Sequence, residues 1–221
     1  MRKKLSIGIL VSGSGSNLQS IIDNIEKALL DAEIKIVVSN KPDAYALERS
    51  KKHGIPNLVV SHNDFGNRED FDRKVIEVLR GHAVELVVLA GFMRVITAVF
   101  LNAFPMKIMN IHPALLPAFP GVHVQQKALE YGVKFSGCTV HFVDSGVDTG
   151  PIIIQAAVPV YDNDTEESLA ARILKEEHRI YPQAIQFYAE GRIKVIGRHV
   201  RITDTDRTYE SALHNPPLKG F

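Results

Sequence analysis

Five short apolar runs rich in β-branched residues alternate with four stretches of helical periodicity over the first 110 residues. The runs are Leu5 to Val11, Ile34 to Ser39, Leu58 to Val60, Leu86 to Ala90 and Lys107 to Asn110. The helical stretches between them are Leu18 to Leu30, Ala44 to His53, Arg68 to Arg80 and Thr97 to Ala103, and Gly54-Ile55-Pro56 closes the second. A helix between every two strands is long enough for a crossover, so the strands run parallel and the helices cover them. This pattern predicts an α/β fold: a single-domain, open, mostly parallel twisted sheet with helices on both faces and a Rossmann-like N-terminal half.

The pattern changes after Asn110. Pro113, Pro117 and Pro120 mark a loop, Val124 to Tyr131 reads as a helix, and Phe135 to Val143 and Ile152 to Val160 read as long strands that extend the sheet in mixed orientation. Asp164-Thr165-Glu166-Glu167 opens a helix with carboxylates in its first turn. That helix is expected to reach Tyr181, kink at Pro182 and continue to Ala189. The division expected is one catalytic domain over 1–196, then a short hairpin and a proline-containing tail over 197–221.

With 221 residues, 45% of them apolar and 23% charged, the chain has material for one real core. Its 26 basic and 25 acidic residues nearly cancel, which gives no electrostatic reason to expect nucleic acid or a membrane surface as partner. Small molecules are the expected ligands. Cys138 is the single cysteine, so no intrachain disulfide can form and a reducing, cytoplasmic setting is expected. It sits in a β-rich run and reads as a small core residue. The run after Met1-Arg2-Lys3-Lys4 is too short for a secretory core, and no apolar stretch approaches the roughly 20 residues that span a bilayer.

Three segments carry chemistry. Ser12-Gly13-Ser14-Gly15-Ser16-Asn17-Leu18 joins the first strand to the first helix, where open α/β sheets bind anions through free backbone N–H groups. Leu18 stands where a dinucleotide fingerprint has its third glycine, and no Gly-Lys-Ser/Thr follows, so a small phosphate ester is favoured over a dinucleotide or ATP. In Met109-Asn110-Ile111-His112-Pro113, Asn110 and His112 are two apart on a strand and share a face. The amide can donate to a developing oxyanion and the imidazole can carry a proton. Finally, His141-Phe142-Val143-Asp144-Ser145-Gly146-Val147-Asp148-Thr149-Gly150 ends a strand in a loop able to set a carboxylate beside His112, which would favour the protonated ring.

In this order, Ser12 to Leu18, Ala90-Gly91-Phe92-Met93-Arg94, Asn110-Ile111-His112-Pro113-Ala114-Leu115-Leu116-Pro117, His141-Phe142-Val143 and Asp148-Thr149-Gly150-Pro151-Ile152 closely resemble the folate-dependent glycinamide ribonucleotide formyltransferases, over about residues 5 to 195. The resemblance implies a formyltransferase fold with a phosphate-binding half to about residue 100, followed by a catalytic and folate-binding half. It implies transfer of a formyl group from 10-formyltetrahydrofolate, a co-substrate, to the amine of glycinamide ribonucleotide in purine synthesis, without a metal. Asn110, His112 and Asp148 would be catalytic. Gly15, Ser16 and Asn17 would hold the phosphate, and Glu177 the ribose hydroxyls. On the folate side the implied residues are Arg68, Met93, Arg94, Val95, Ile96, Asn110, Asp144, Ser145, Gly146, Val147 and Asp148. His123 and His141 receive no role, and the oligomeric state is left open.

Two relatives share this chemistry. A formyltetrahydrofolate hydrolase would use water as acceptor but is expected to carry an N-terminal regulatory domain, for which a first strand at Leu5 leaves no room. A methionyl-tRNA formyltransferase would add a basic RNA-binding domain. A non-catalytic folate or phosphate-ester binding module would have no need of Asn110, His112 and Asp148 together.

Overall fold

The structure, a computed structural model, describes residues 3–204 together with Leu213 and Asn215. Its strands are β1 (Leu5–Val11), β2 (Ala32–Ser39), β3 (Asn57–Val59), β4 (Leu86–Leu89), β5 (Ile108–His112), β6 (Phe135–Phe142), β7 (Ile152–Pro159), β8 (Ile193–Ile196) and β9 (His199–Ile202). The helices are α1 (Ser16–Glu26), α2 (Tyr45–Lys52), α3 (Arg68–Gly81), α4 (Ala98–Ala103), α5 (Val124–Tyr131) and α6 (Glu166–Ala189). One seven-stranded sheet has the order β3-β2-β1-β4-β5-β6-β7. β1 to β5 pair in parallel, and β6 and β7 are added antiparallel.

Alternation along the strands sorts the core into two layers. Ile7, Ile9 and Val11 of β1 face α1 and α6, where they bury with Leu18, Ile21, Tyr181 and Ile185. Leu10, with Val87 and Leu89 of β4, faces α3 and α4, packing with Phe71, Val75, Leu79 and Phe100. Helices thus cover both faces, as the alternating pattern requires. Cys138 is fully buried in a third, smaller cluster with Ala128, Leu169 and Ile173, and burial pushes its thiol up to about 12, so it is an inert core residue.

Several boundaries differ from those expected. α1 starts at Ser16, not Leu18, because Gly15 turns the chain left-handed (φ 69°) into the helix. It ends at Glu26, not Leu30, since Ala28 adopts φ 55° and breaks the spiral. β2 begins two residues early because Ala32 pairs with Leu5. β5 extends through His112, held by His112 opposite Thr139 on β6. The hairpin turns at Gly197 rather than beginning there, with β8 before it and β9 after it. The expected tail lies outside the described residues apart from Leu213 and Asn215.

α6 runs continuously through Pro182. Proline has no N–H for the carbonyl four residues back, which here belongs to His178. Ser20 Oγ of α1 donates to that carbonyl at 2.7 Å, so a neighbouring helix supplies the missing bond. One residue before the proline, the fully buried Tyr181 hydroxyl meets Leu89 O at 3.0 Å, at the end of β4, and Met109 O at 2.9 Å, within β5. The hydroxyl has one proton, so it donates to these two carbonyls in a shared bond. Tyr181→Phe is expected to lower stability by about 1–3 kcal/mol, the usual cost of stranding buried polar groups, read as a lower urea midpoint. A midpoint unchanged from wild type would show that the carbonyls find other donors.

Candidate active site

The first strand ends where order reverses in the sheet, with β2 on one side of β1 and β4 on the other. Crevices form at such switch points. Here the loop after β1 lines a hollow of about 150 Å³ with Ser12 to Asn17, Ala90, Gly91 and Met93. Gly15 takes φ 69° with Ala46 pressed against it, a site closed to any larger residue. The helical ladder starts with Gln19 N–H on Gly15 O, so the N–H groups of Ser16, Asn17 and Leu18 precede the first intrahelical bond. These are the donors an anion needs.

Beyond the loop, the buried Glu177 carboxylate on α6 accepts from Asn17 Nδ2 at 2.7 Å. Burial raises its pKa, against the lowering effect of that hydrogen bond. The folded protein therefore holds this proton more tightly than the unfolded chain does. The stability it contributes is present below the ordinary carboxylate range and is lost as pH rises through the folded-state value. Glu177→Gln should therefore gain on wild type in melting temperature, by a few °C, between about pH 5 and about pH 8. A difference that stays constant over this range would show the carboxylate to be paid no burial penalty.

The second hollow, about 110 Å³, is lined by Leu89, Phe92, Arg94, Val95, Ile96, Asn110, His141, Val143, Asp144, Gly146, Val147 and Asp148. Larger hollows lie beside α1 (about 310 Å³), where Gln19, Asp23, Asn24 and His178 meet on helix surfaces, and between α3 and α4 (about 580 Å³), but neither is lined from the strand ends. Position in the sheet, not size, marks the smaller one.

Asp148 is its hub. One carboxylate oxygen lies 3.3 Å from His112 Nδ1 and accepts from Gly121 N at 2.9 Å. The other lies 3.8 Å from His141 Nε2. Asp148 adopts the left-handed φ of 55°, unusual for a residue with a side chain. Gly150 then passes so close to β6 that a Cβ there would collide with the Phe142 carbonyl. Arg198, in the β8–β9 turn, donates to Thr149 O at 2.7 Å and holds the loop from outside.

His112 is buried, and its Nε2 lies 2.8 Å from Phe119 O. A carbonyl only accepts, so Nε2 carries a proton and Nδ1 is the nitrogen turned toward Asp148. The loop bearing Phe119 is pinned by Thr139, which donates to Ala114 O at 2.7 Å and accepts from Leu116 N at 3.1 Å. Gln155 Nε2 donates to Leu116 O at 2.9 Å.

His141 has a part that its sequence position alone did not reveal. It sits directly across from Asn110 in the β5–β6 register. Its Nδ1 lies 2.8 Å from Phe142 O, so Nδ1 carries the proton, while burial lowers its pKa and keeps the ring neutral. Nε2 is then an acceptor, met by Asn110 Nδ2 at 3.2 Å. The contact orients the Asn110 amide. The signal was available only through the pairing of β6 with β5.

The two hollows are joined through Ser12. Its hydroxyl donates to Asn40 Oδ1 at 2.6 Å and accepts from Met93 N at 2.9 Å, which ties the glycine loop to the segment Met93 to Ile96. Arg94 stacks on Phe71 at 4.8 Å, and Thr97 N donates to the buried Asp72 at 2.9 Å, fixing the other end. The expected residues are thus largely brought together. Met93 lines the loop hollow instead of the second one, Ser145 is exposed on the Asp144–Asp148 loop, Arg68 lies exposed on the first turn of α3, and His112 and Glu177 are buried; of Ser145, Arg68, His112 and Glu177, none lines either hollow.

Among the described residues no group of three or more His, Cys, Asp or Glu could hold a metal ion, and no helix is long and apolar enough to cross a membrane.

Comparison with known proteins agrees with this geometry. A sequence model of the formyl transferase family matches residues 5–185. The phosphoribosylglycinamide formyltransferase of Escherichia coli is 42% identical over 191 residues, 86% of this chain and 90% of that protein. The trifunctional purine biosynthetic protein adenosine-3 of Drosophila melanogaster is 48% identical over 192 residues, 86% of this chain but 14% of that much longer protein. The crystal structure of glycinamide ribonucleotide transformylase 1 from Symbiobacterium toebii superposes with a TM-score of 0.91 at 51% identity, covering 92% of this chain and 96% of that one. In fold, in the order of its motifs and in sequence over most of its length, this chain belongs to the formyl transferase family.

Proposed function

We propose that this chain transfers the formyl group of 10-formyltetrahydrofolate to the primary amine of glycinamide ribonucleotide, giving formylglycinamide ribonucleotide and tetrahydrofolate in purine synthesis. The observation that carries the reading is the convergence of His112 and Asn110 from β5 with Asp148 from the loop after β6, beside a glycine loop with free N–H groups. Gly15, Ser16 and Asn17 hold the phosphate and Glu177 the ribose. Arg94, Val95, Ile96 and the Asp144–Asp148 loop receive the folate, with Met93 between the two and Arg68 reaching from α3. Both ligands are small molecules, and the setting is cytoplasmic.

The amine nitrogen attacks the formyl carbon. A new C–N bond forms, the carbonyl pair moves to oxygen, and collapse of the tetrahedral species breaks the bond to N10 of the folate. The attacking nitrogen loses a proton and N10 gains one, so the site need supply no net proton. It has to orient the substrates, hold the oxyanion and carry that proton. One Asn110 N–H is committed to His141, and the other is the oxyanion donor. His112 and Asp148 share the mobile proton at Nδ1. Amine attack needs no covalent enzyme intermediate, which fits Cys138 being buried in the core.

A spectrophotometric assay tests the reading: tetrahydrofolate formation from 10-formyltetrahydrofolate, with and without glycinamide ribonucleotide. Turnover only with the ribonucleotide is expected. Equal turnover without it would make the chain a hydrolase, and none at all would make it a binding module.

A further inference from the structure

Arg49, on α2, plays no part in the chemistry above, yet it touches the loop on which the phosphate reading depends. A loop that presents successive N–H groups to an anion must turn its carbonyls the other way, and each diverted carbonyl needs a donor. Two donors come from α2. Ala46 N–H binds Gly13 O at 3.1 Å, and Arg49 Nε–H binds Ser14 O at 2.9 Å. The guanidinium is itself held in place, with Nη1 donating to Gln19 Oε1 at 3.1 Å and its carbon 5.0 Å from the centre of the Tyr45 ring. Gln19 is anchored in turn, its Nε2 donating to Asp23 Oδ1 at 2.8 Å. The partners of Arg49 are therefore a carbonyl, a carboxamide and an aromatic face. None of these is a carboxylate, so its charge is fixed in position without being neutralised by what holds it.

We propose that Arg49 is a positioning residue for the phosphate of the ribonucleotide substrate: it draws the Ser14 carbonyl out of the anion's path and sets a fixed positive charge behind the glycine loop. This rests on the reading of that loop as the phosphate site of a ribonucleotide formyl transfer. An alanine could neither hold the carbonyl nor supply the charge. A lysine would supply the charge but lacks the planar fork that binds Ser14 and Gln19 together.

The test is steady-state kinetics of wild type, Arg49→Ala and Arg49→Lys at several potassium chloride concentrations. Arg49→Ala should raise KM for glycinamide ribonucleotide by about 10-fold, with kcat and KM for 10-formyltetrahydrofolate within about 2-fold of wild type. Arg49→Lys should fall between the two. Because exposed charges are screened over about 10 Å at 0.1 M salt, KM for the ribonucleotide should climb less steeply with salt in Arg49→Ala than in wild type. A purely structural brace would not change that slope. An unchanged KM, an equal rise for both substrates, or an unchanged salt slope would each overturn the proposal. If Arg49→Ala fails to fold, Arg49→Lys decides, and a KM for the ribonucleotide equal to that of wild type overturns it. Wild type without ribonucleotide-dependent turnover would remove the functional reading and this proposal together. Normal wild-type turnover with an indifferent Arg49→Ala removes Arg49 alone.

Discussion

Asp148→Asn should lower kcat by about 10³-fold with the fold intact, a loss within the range associated with removing one partner of a proton-transfer pair. The carboxylate meets three groups at once: the His112 ring, the Gly121 N–H and, at longer range, the His141 ring. An asparagine can still accept from Gly121 through its oxygen, which should preserve the loop. That oxygen is also the one beside His112 Nδ1, so the NH₂ takes the place of the other and faces His141 Nε2. What His112 loses is the negative charge 3.3 Å away that can take up and return a proton. Single-turnover rates with saturating substrates, alongside circular dichroism, measure both halves of the expectation. A loss of less than about 10-fold would remove Asp148 from proton transfer.

His112→Ala should reduce turnover by about 10²–10⁴-fold. It removes the nitrogen that shares the proton, and it also removes the donor for Phe119 O, so a stability loss of about 1–3 kcal/mol is expected in the same protein. Rates should therefore be compared well below the melting temperature of the variant. The informative measurement is the double variant. If His112 and Asp148 act as one unit, His112→Ala with Asp148→Asn should be little slower than the worse single variant, whereas independent roles would multiply the two losses.

Much of this site is written in local sequence, and the rest depends on register. Asn110 and His112 could be paired from their spacing because side chains two apart on a strand share a side. The glycine loop could be placed because a strand, a glycine pair and a helix follow in order. His141 could not, since it joins Asn110, 31 residues away, only across an antiparallel pairing that follows an intervening helix. The same holds for Ser12, whose contact with Met93 bridges two loops, and for Arg198, which reaches the Asp148 loop from the hairpin. Strand cores were legible through apolar alternation, as β1 shows at both ends. Helix ends were less so, because the left-handed turns at Gly15 and Ala28 that set the limits of α1 carry no hydrophobic signal.

Asn17 and Ser20 stand one turn apart on α1 and grip consecutive residues of α6, the Glu177 side chain and the His178 carbonyl. Two rods clamped at neighbouring rungs cannot slide past each other by a residue, so the height of the carboxylate above the glycine loop is set by α1 and not by the connection leading into α6. A residue gained or lost between Tyr161 and Thr165 would then be taken up in that connection, leaving the reach of Glu177 unaltered.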